Sequence, residues 1–302
     1  MLPGMAAKRS AKPHIAIVGA GNLGAALAVA LQNAGYAIDQ IVSRPGRALQ
    51  RAQRLAREVG ATASVVREVQ LEAEVVWFCV PDSAIADAAE SVADSVNWKG
   101  KIALHSSGAL TGDELATLGS KGAAVASVHP LMTFVRGSRP SLNGVPFALE
   151  GDTRAIRAAR AIVRALKGQS FAIRKEQKAA YHAWGMFSSP LLCALLAASE
   201  RVAAVAGVGR KAARNRMLPI LRQTLTNYAR LGARESFSGP IARGDVETVK
   251  KHLEILHNLP AVREVYVALA SAALRELPAK NRNALRGVLS SGTKSWSHKS
   301  GS

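Results

Sequence analysis

Gly19-Ala20-Gly21-Asn22-Leu23-Gly24 closes a short apolar run, residues 14–19, and opens an alanine-rich stretch, residues 22–34. Glycines at this spacing between a strand and a helix narrow the possible folds more than any other feature. The first permits a tight turn, the second lets backbone approach a pyrophosphate, and the third lets helix pack on strand. The start of the helix offers unpaired N–H groups and a positive dipole end to phosphates. The expectation is a dinucleotide site built from Gly19, Gly21, Asn22, Leu23 and Gly24.

The pattern downstream suits such a site. Residues 37–43 read as the next strand, followed by a helix from about Pro45, a proline suited to the first helical position. Residues 74–80, EVVWFCV, form a continuous apolar run, as in a strand buried on both faces of a parallel sheet. Residues 101–106 and 123–128 are two more strands. The three runs end in loops carrying Pro81-Asp82-Ser83, Ser106-Ser107-Gly108 and His129-Pro130. Strands at 145–149 and 170–173, with a helix over about 152–167 between them, add one more βαβ unit. After Arg174 the periodicity is helical, with breaks near 207–209, 236–240 and 258–260. The expected fold is an α/β Rossmann-type parallel-sheet domain, residues 13–174, followed by an all-α domain, residues 175–286. Residues 1–12 and 287–302 are expected to be flexible tails.

Composition removes several other classes. With 302 residues and 48% apolar content the chain is no disordered tail and can bury a core in each of two domains. Two cysteines exclude a disulfide scaffold, and no CxxC or Cys/His cluster suggests a metal. Cys79 and Cys193 are expected as reduced core residues. Forty Lys and Arg against 21 Asp and Glu give a formal charge of +19. Such a surface attracts polyanions without specificity. The charges are dispersed, from Lys8, Arg9 and Lys12 through six arginines between Arg44 and Arg67 to a basic tail, so no specific nucleic-acid partner is expected. Residues 181–199 carry no formal charge and approach the length of a membrane span. His182, Ser188, Ser189 and Pro190 interrupt the stretch, which reads instead as a buried helix. The protein is expected in the cytoplasm, away from membranes.

The end of the second strand chooses the dinucleotide. An NAD site places a carboxylate there for the ribose 2′-hydroxyl. Here the strand ends Ile41-Val42-Ser43-Arg44, with Arg47 following. Asp39 has about the right separation from the first glycine but lies mid-strand, short of the edge where the ribose sits. Hydroxyl and guanidinium at Ser43, Arg44 and Arg47 make a pocket for a 2′-phosphate, so the expected cofactor is NADP(H). Val80 and Pro81 would pass beside the nicotinamide ribose. Beyond the carboxyl ends of the strands, the hydroxyls of Ser106 and Ser107 suit a carboxylate or carbonyl oxygen, with Ser107 at the reacting group. His129 either binds or protonates substrate, or is an imidazole hydrogen-bonded within its loop; His105 reads as interior to its strand.

At these residues the sequence resembles a family. HSSGAL (105–110), HPLMTF (129–134), Tyr181-His182 with FSS (187–189), and SGPIARGD (238–245) with His252 are similar to Rossmann-like NADP oxidoreductases whose C-terminal helical domain has no assigned function. Their amino-terminal half is in turn similar to pyrroline-5-carboxylate reductases and deazaflavin-dependent NADP reductases, and some members are proposed as alternative ketopantoate reductases. The resemblance, over about residues 14–275, implies roles for His182, Ser189 and the loop with Arg243 and Asp245. This chain departs from the family pattern at Pro190, where many relatives carry asparagine, and at Ser238, where they carry threonine.

On a helix Lys178, His182 and Ser189 fall at i, i+4 and i+11 and share a face. Histidine titrates near neutral pH, which suits delivery of a proton as hydride reaches carbon. His182 is therefore the expected general acid, the alternative being a satisfied helix histidine, and Lys178 reads as a solvated end residue. Arg243 either grips a substrate carboxylate or pairs with Asp245. The function expected is NADPH-dependent reduction of a small carbonyl or imine compound bearing a carboxylate, possibly ketopantoate to pantoate, by a homodimer. The alternative is a non-catalytic NADP(H)-sensing regulator.

Overall fold

The computed structural model describes residues 12–66 and 70–291. Most of the two expected tails, together with Lys8, Arg9 and Arg67, lie outside the described residues. The chain forms two compact units, Met1–Phe187 and Ser188–Ser302. Their boundary falls inside the helical region, beyond the change of periodicity after Arg174.

The first unit is an α/β sandwich. In chain order its elements are β1 (Ile15–Val18), α1 (Asn22–Asn33), β2 (Ile38–Ser43), α2 (Arg47–Val59), β3 (Thr62–Val65), β4 (Val75–Phe78), α3 (Ile85–Glu90), β5 (Ile102–His105), α4 (Ala116–Ser120), β6 (Ala124–Pro130), β7 (Pro146–Gly151), α5 (Thr153–Ala165), β8 (Gln169–Ala172) and α6 (Lys178–Ser188). The eight strands are ordered β3-β2-β1-β4-β5-β6-β7-β8. All neighbours run parallel except β6 and β7. The Rossmann-type architecture expected from the sequence is therefore present.

Burial on both faces explains the unbroken apolar runs. Ile15 and Ile17 of β1, with Val75 and Trp77 of β4, face a core shared with α1, α2 and α5. Their alternates Ala16, Val18, Val76 and Phe78 face a second core lined from α3 and α4. With a side-chain period of two and a helical layer on each side, no position of β1 or β4 is free to be polar.

Several elements depart from the sequence pattern. Pro45 is not the first residue of α2; Gly46 is the N-cap and the helix begins at Arg47. His129 and Pro130 are the last residues of β6 rather than a loop after it. The edge strand β3 gave no signal, because TASV carries no apolar run and its first residue is exposed. The reversal at β7 was also missed. It depends on Gly151, at φ +136, where a Cβ would collide with Val125 and Ala126 of β6. Asp152 completes the join, accepting from Val125 N at 2.8 Å.

The second unit is all helical, with α7 (Pro190–Val205), α8 (Arg210–Ser236), α9 (Pro240–Arg243), α10 (Val246–Ile255), α11 (Pro260–Glu276) and α12 (Arg282–Ser291). Val249 and Leu253 of α10, Ala270 and Leu274 of α11, and Leu285 and Leu289 of α12 form its core. Residues 287–291, expected in a tail, are the last turns of α12 and supply Leu289 to that core. The uncharged stretch 181–199 is neither one helix nor buried. It breaks at Ser189 (φ −134, ψ −76), and Leu191, Leu195, Val202 and Val205 of α7 are exposed. Cys193 is exposed with them, against expectation. Lys175–Val205 has the length and apolar content of a membrane span.

Candidate functional site

β1 neighbours β4, so the chain proceeds outward from this pair in both directions, through β2 and β3 on one side and β5 and β6 on the other. The crevice at the carboxyl ends of β1 and β4 is thus the switch point at which ligands bind in open α/β sheets. The glycine motif occupies that point, and each glycine has a separate reason to be there. Gly19 has φ +107, and a Cβ on it would meet the Cys79 carbonyl oxygen at 2.7 Å. Gly24 lies in the first turn of α1, where a Cβ would collide with the Gly19 carbonyl oxygen and reach Cys79 Cβ at 3.1 Å. Gly21 differs from both. It is the exposed N-cap of α1, with ordinary φ/ψ (−76, −171), and the only atom near its missing Cβ is 4.0 Å away. Neither backbone strain nor packing requires glycine at that position.

No acidic residue occupies the first turn of α1. Its free N–H groups adjoin a cleft of about 400 Å³ lined by Ala20, Gly21, Asn22 and Ala25, by Arg51 and Arg54 of α2, and by Gly137–Arg139. The segment after β6 is fastened across this cleft. Asn22 Nδ2 donates to Phe134 O at 3.2 Å, and the Arg139 guanidinium bridges both carboxylate oxygens of Glu58. Leu23 packs on the core, so only its backbone faces the turn.

Asp39 is the second residue of β2 and accepts a hydrogen bond from, or shares a proton with, His14 Nδ1 at 2.8 Å. His14 precedes β1, so both residues lie at the amino ends of parallel strands, the edge opposite the glycine turn. Ser43 closes β2 at the correct edge, nearly buried, its hydroxyl donating to Arg44 O at 3.0 Å. Arg44 and Arg47 are exposed beside it. Val80 and Pro81 follow β4, and Val80 Cγ1 lies 3.0 Å from where a Gly19 Cβ would stand.

The same edge holds a cluster of buried polar groups. Of the buried polar residues, His105, Ser106, Ser107, Ser127, Glu150 and Lys178 all come from β5, β6, β7, their loops and the start of α6. Lys178, expected in solvent, is 1% exposed. Its ammonium donates to Ser107 O at 2.9 Å and to Ser127 Oγ at 2.5 Å, and Ser127 Oγ donates to Ser107 O at 2.9 Å. Burial lowers Lys178 to about 8, against the raising influence of the Glu150 and Asp82 carboxylates. Ser107 Oγ donates to Asp82 Oδ2 at 2.8 Å and accepts from the N–H groups of Ala109 and Leu110. Ser106 is turned away from this cluster, its hydroxyl accepting from Trp77 Nε1 at 2.8 Å.

Two histidines converge on Gly108. A Cβ there would lie 2.9 Å from His129 Nε2 and 3.0 Å from His182 Cδ2. His129 Nδ1 shares a 2.7 Å hydrogen bond with the Tyr181 hydroxyl, and the rings meet edge to face. Burial first, then the charges of Lys178 and His182, lower His129 to about 4, while burial raises Tyr181 to about 12. His129 is thus neutral and Tyr181 protonated near neutral pH. His105 is structural: Nδ1 accepts from Ser107 N–H at 3.1 Å and Nε2 faces Thr111 O at 2.8 Å. These partners fix the neutral tautomer with the proton on Nε2, and burial lowers this group too, to about 4.

Ser189, Arg243 and Asp245 belong to the second unit. Ser189 is the N-cap of α7 and Pro190 its first residue, which accounts for a proline at that position. The break at Ser189 ends the single helical face that was to carry Lys178, His182 and Ser189 together. Asp245 caps α10, accepting from Thr248 N at 3.1 Å and Thr248 Oγ at 2.7 Å, and these bonds lower its carboxyl. It pairs with that threonine, not in an ion bridge with Arg243. Gly244, at φ +73, packs against Lys280, and Asn281 Nδ2 donates to its carbonyl at 3.0 Å. His252 Nδ1 meets the Tyr266 hydroxyl at 3.0 Å beside an apolar pocket of about 510 Å³.

Asp82, Ser127, Glu150 and Tyr181 were not singled out as site residues by the sequence. Tyr181 adjoins His182 in the family motif and was within reach; Ser127 and Glu150 meet only through the β6–β7 reversal, which leaves no local signal.

Two family models match the chain, and the second begins at β7, before the boundary between the compact units. Residues 3–130 match the Rossmann-like domain family, and residues 145–273 match the domain of unknown function DUF2520. No curated protein matches the chain. Among solved structures, a candidate NADP oxidoreductase from Bacteroides fragilis is similar at 23% identity and TM-score 0.74, over 86% of this chain and 97% of that one. An imine reductase from Pseudomonas sp. is similar at 20% identity and TM-score 0.59, over 87% and 93%. A pyrroline-5-carboxylate reductase from Coxiella burnetii is similar at 16% identity and TM-score 0.57, over 94% and 98%. At these identities the likeness is one of fold. Between them the two family models cover most of the chain, on either side of residues 131–144.

Proposed function

We propose that this protein is an NADPH-dependent oxidoreductase of the cytoplasm that reduces a small carbonyl or imine compound bearing a carboxylate. The observation that carries the reading is the meeting, at one sheet edge, of an open glycine N-cap, the buried Lys178–Ser107 pair and the half-buried His129. The names of the fold relatives, NADP oxidoreductase, imine reductase and pyrroline-5-carboxylate reductase, support the same class.

The residues present fit the cofactor. The empty space at Gly21 and the free N–H groups of Asn22, Leu23 and Gly24 would hold its pyrophosphate. Ser43, Arg44 and Arg47 would hold the 2′-phosphate, and Val80 and Pro81 would border the nicotinamide ribose. When bound, the cofactor supplies a hydride. Tyr181 donates to His129 Nδ1 in this reading, which leaves the His129 proton on Nε2 to hydrogen-bond a developing oxyanion. His182, across Gly108, delivers the proton to that oxygen. Lys178 keeps the Ser107 loop in place and adds a positive charge that favours a carboxylate-bearing substrate. Ser189 and Asp245 are the N-caps of α7 and α10 in the second unit. The exposed apolar side chains of α7, α8 and α11 suit a homodimer, with a second copy covering them. Light scattering after size exclusion should return twice the chain mass, and a monomer would remove that part.

The test is a titration with NADPH and separately with NADH. Charge-assisted hydrogen bonds contribute roughly 1.5–3 kcal/mol each, so a working Ser43–Arg44 pocket prefers NADPH by at least about tenfold. Turnover is then sought on a panel of keto acids and cyclic imines, with ketopantoate as its first member. His182→Ala should lower turnover and spare NADPH affinity. Binding without turnover of any member would favour a sensor, and binding of neither nucleotide would refute the reading.

A further inference from the structure

Among the described residues of the first unit, Glu150 is the one buried carboxylate, and the proposed reaction gives it no role. It is 4% exposed on β7, the antiparallel strand. Oε2 accepts from Gly112 N at 2.7 Å, while Oε1, equally buried, has no hydrogen-bond partner. A carboxylate in that condition is costly to bury unless a nearby positive charge compensates it. The β6–β7 register supplies one. Glu150 lies directly opposite Ser127, so the two side chains emerge on the same face of the sheet as a cross-strand pair. Ser127 Oγ in turn receives the Lys178 ammonium at 2.5 Å.

We propose that Glu150 is a positioning residue that keeps the buried Lys178 ammonium charged at the sheet edge, with Ser127 as the spacer between them. Lys178 places two of its three protons on Ser107 O and Ser127 Oγ. Asp82 reaches it through Ser107, on the loop after β4. His105 from β5 and His129 from β6 are neutral, and His182 lies one turn along α6. Among the described residues, Glu150 is therefore the only buried carboxylate among the groups facing Lys178, and burial reduces the screening of its field by solvent. Among the charged groups near Glu150 itself, Lys175 is exposed and bound to Asp113, which leaves Lys178 as the interior counter-charge. The interaction opposes the burial that lowers Lys178.

The inference rests on the proposed reductase only for its effect on turnover, so its test is made without cofactor or substrate. Protein labelled with 13C at the lysine ε carbon is titrated by NMR, with Lys178→Arg identifying the resonance. The wild-type midpoint is expected near 8. In Glu150→Gln, which keeps an acceptor for Gly112 N–H, the midpoint should fall by at least about one unit, a tenfold loss of proton affinity. Glu150→Asp, which restores the charge, should recover most of the shift. An unmoved lysine in Glu150→Gln overturns the proposal. Should a substrate be found, the alkaline limb of kcat/KM must move with the NMR midpoint. A failed substrate search would leave the NMR test intact.

Discussion

Gly21→Ala separates what the glycine motif does for the fold from what it does for a ligand. The position has φ −76 and ψ −171, which alanine adopts freely, and the new methyl would have one neighbour, the Cys79 carbonyl oxygen at 4.0 Å. The only folding cost is a slightly poorer N-cap, about 0.5–1 kcal/mol. For a unit of this size that lowers Tm by about 1–4 °C. The methyl points instead into the mouth of the cleft at the start of α1. A pyrophosphate drawn onto those N–H groups would be displaced and lose at least one charge-assisted bond. At roughly 1.5–3 kcal/mol this weakens NADPH binding by about 10- to 150-fold. Gly24→Ala should behave in the opposite order. Its methyl meets the Gly19 carbonyl oxygen and Cys79 Cβ, so the turn itself must open, costing about 1–3 kcal/mol or more and lowering Tm by about 2–12 °C. Thermal melts and fluorescence titration with NADPH measure both quantities on the same samples. Gly21→Ala protein that binds NADPH as the wild type does would refute the placement of the pyrophosphate.

Two further outcomes follow from the same edge. Arg44→Ala should reduce the preference for NADPH over NADH by roughly tenfold, whereas Asp39→Ala, at the opposite edge beside His14, should leave it unchanged; a change with Asp39 alone would reverse the assignment in nucleotide titrations. Stability should fall in mild acid. His105 is fully buried and lowered from 6.5 to about 4, so between those values the unfolded chain binds a proton that the native protein refuses. Its full contribution is present above about pH 6.5 and about 3 kcal/mol is lost by pH 4, with His129 adding in the same direction. Urea denaturation at pH 7.5 and pH 4.5 measures the difference, and equal values at the two pH settings would contradict the buried neutral tautomer.

Much of the architecture was written in short-range patterns. A glycine turn between strand and helix, and apolar runs such as Val75–Phe78 bounded by prolines and serines, are local consequences of burial on two faces. So is the change to helical period after Arg174. The position of Ser43, rather than Asp39, at the carboxyl end of β2 was also legible, since the length of a parallel strand tells which residue reaches that edge. Lys178 shows where such reasoning stops. At a helix start, one turn before His182, a lysine looks like a solvated end, and nothing within its own segment states that Ser107 and Ser127 wait for it.

The Rossmann-type sheet with a glycine N-cap at its switch point follows from local pattern, because turns, periods and strand lengths are set by neighbours along the chain. What stands at that edge comes from the packing of distant segments. The β6–β7 reversal at Gly151 brings Glu150 opposite Ser127, the loop after β5 carries Gly108 between His129 and His182, and α6 returns Lys178 to the sheet. Each of these meetings joins residues far apart in sequence. Their energies depend on shared burial and on charge in a low-dielectric interior, quantities that no local pattern of residues encodes.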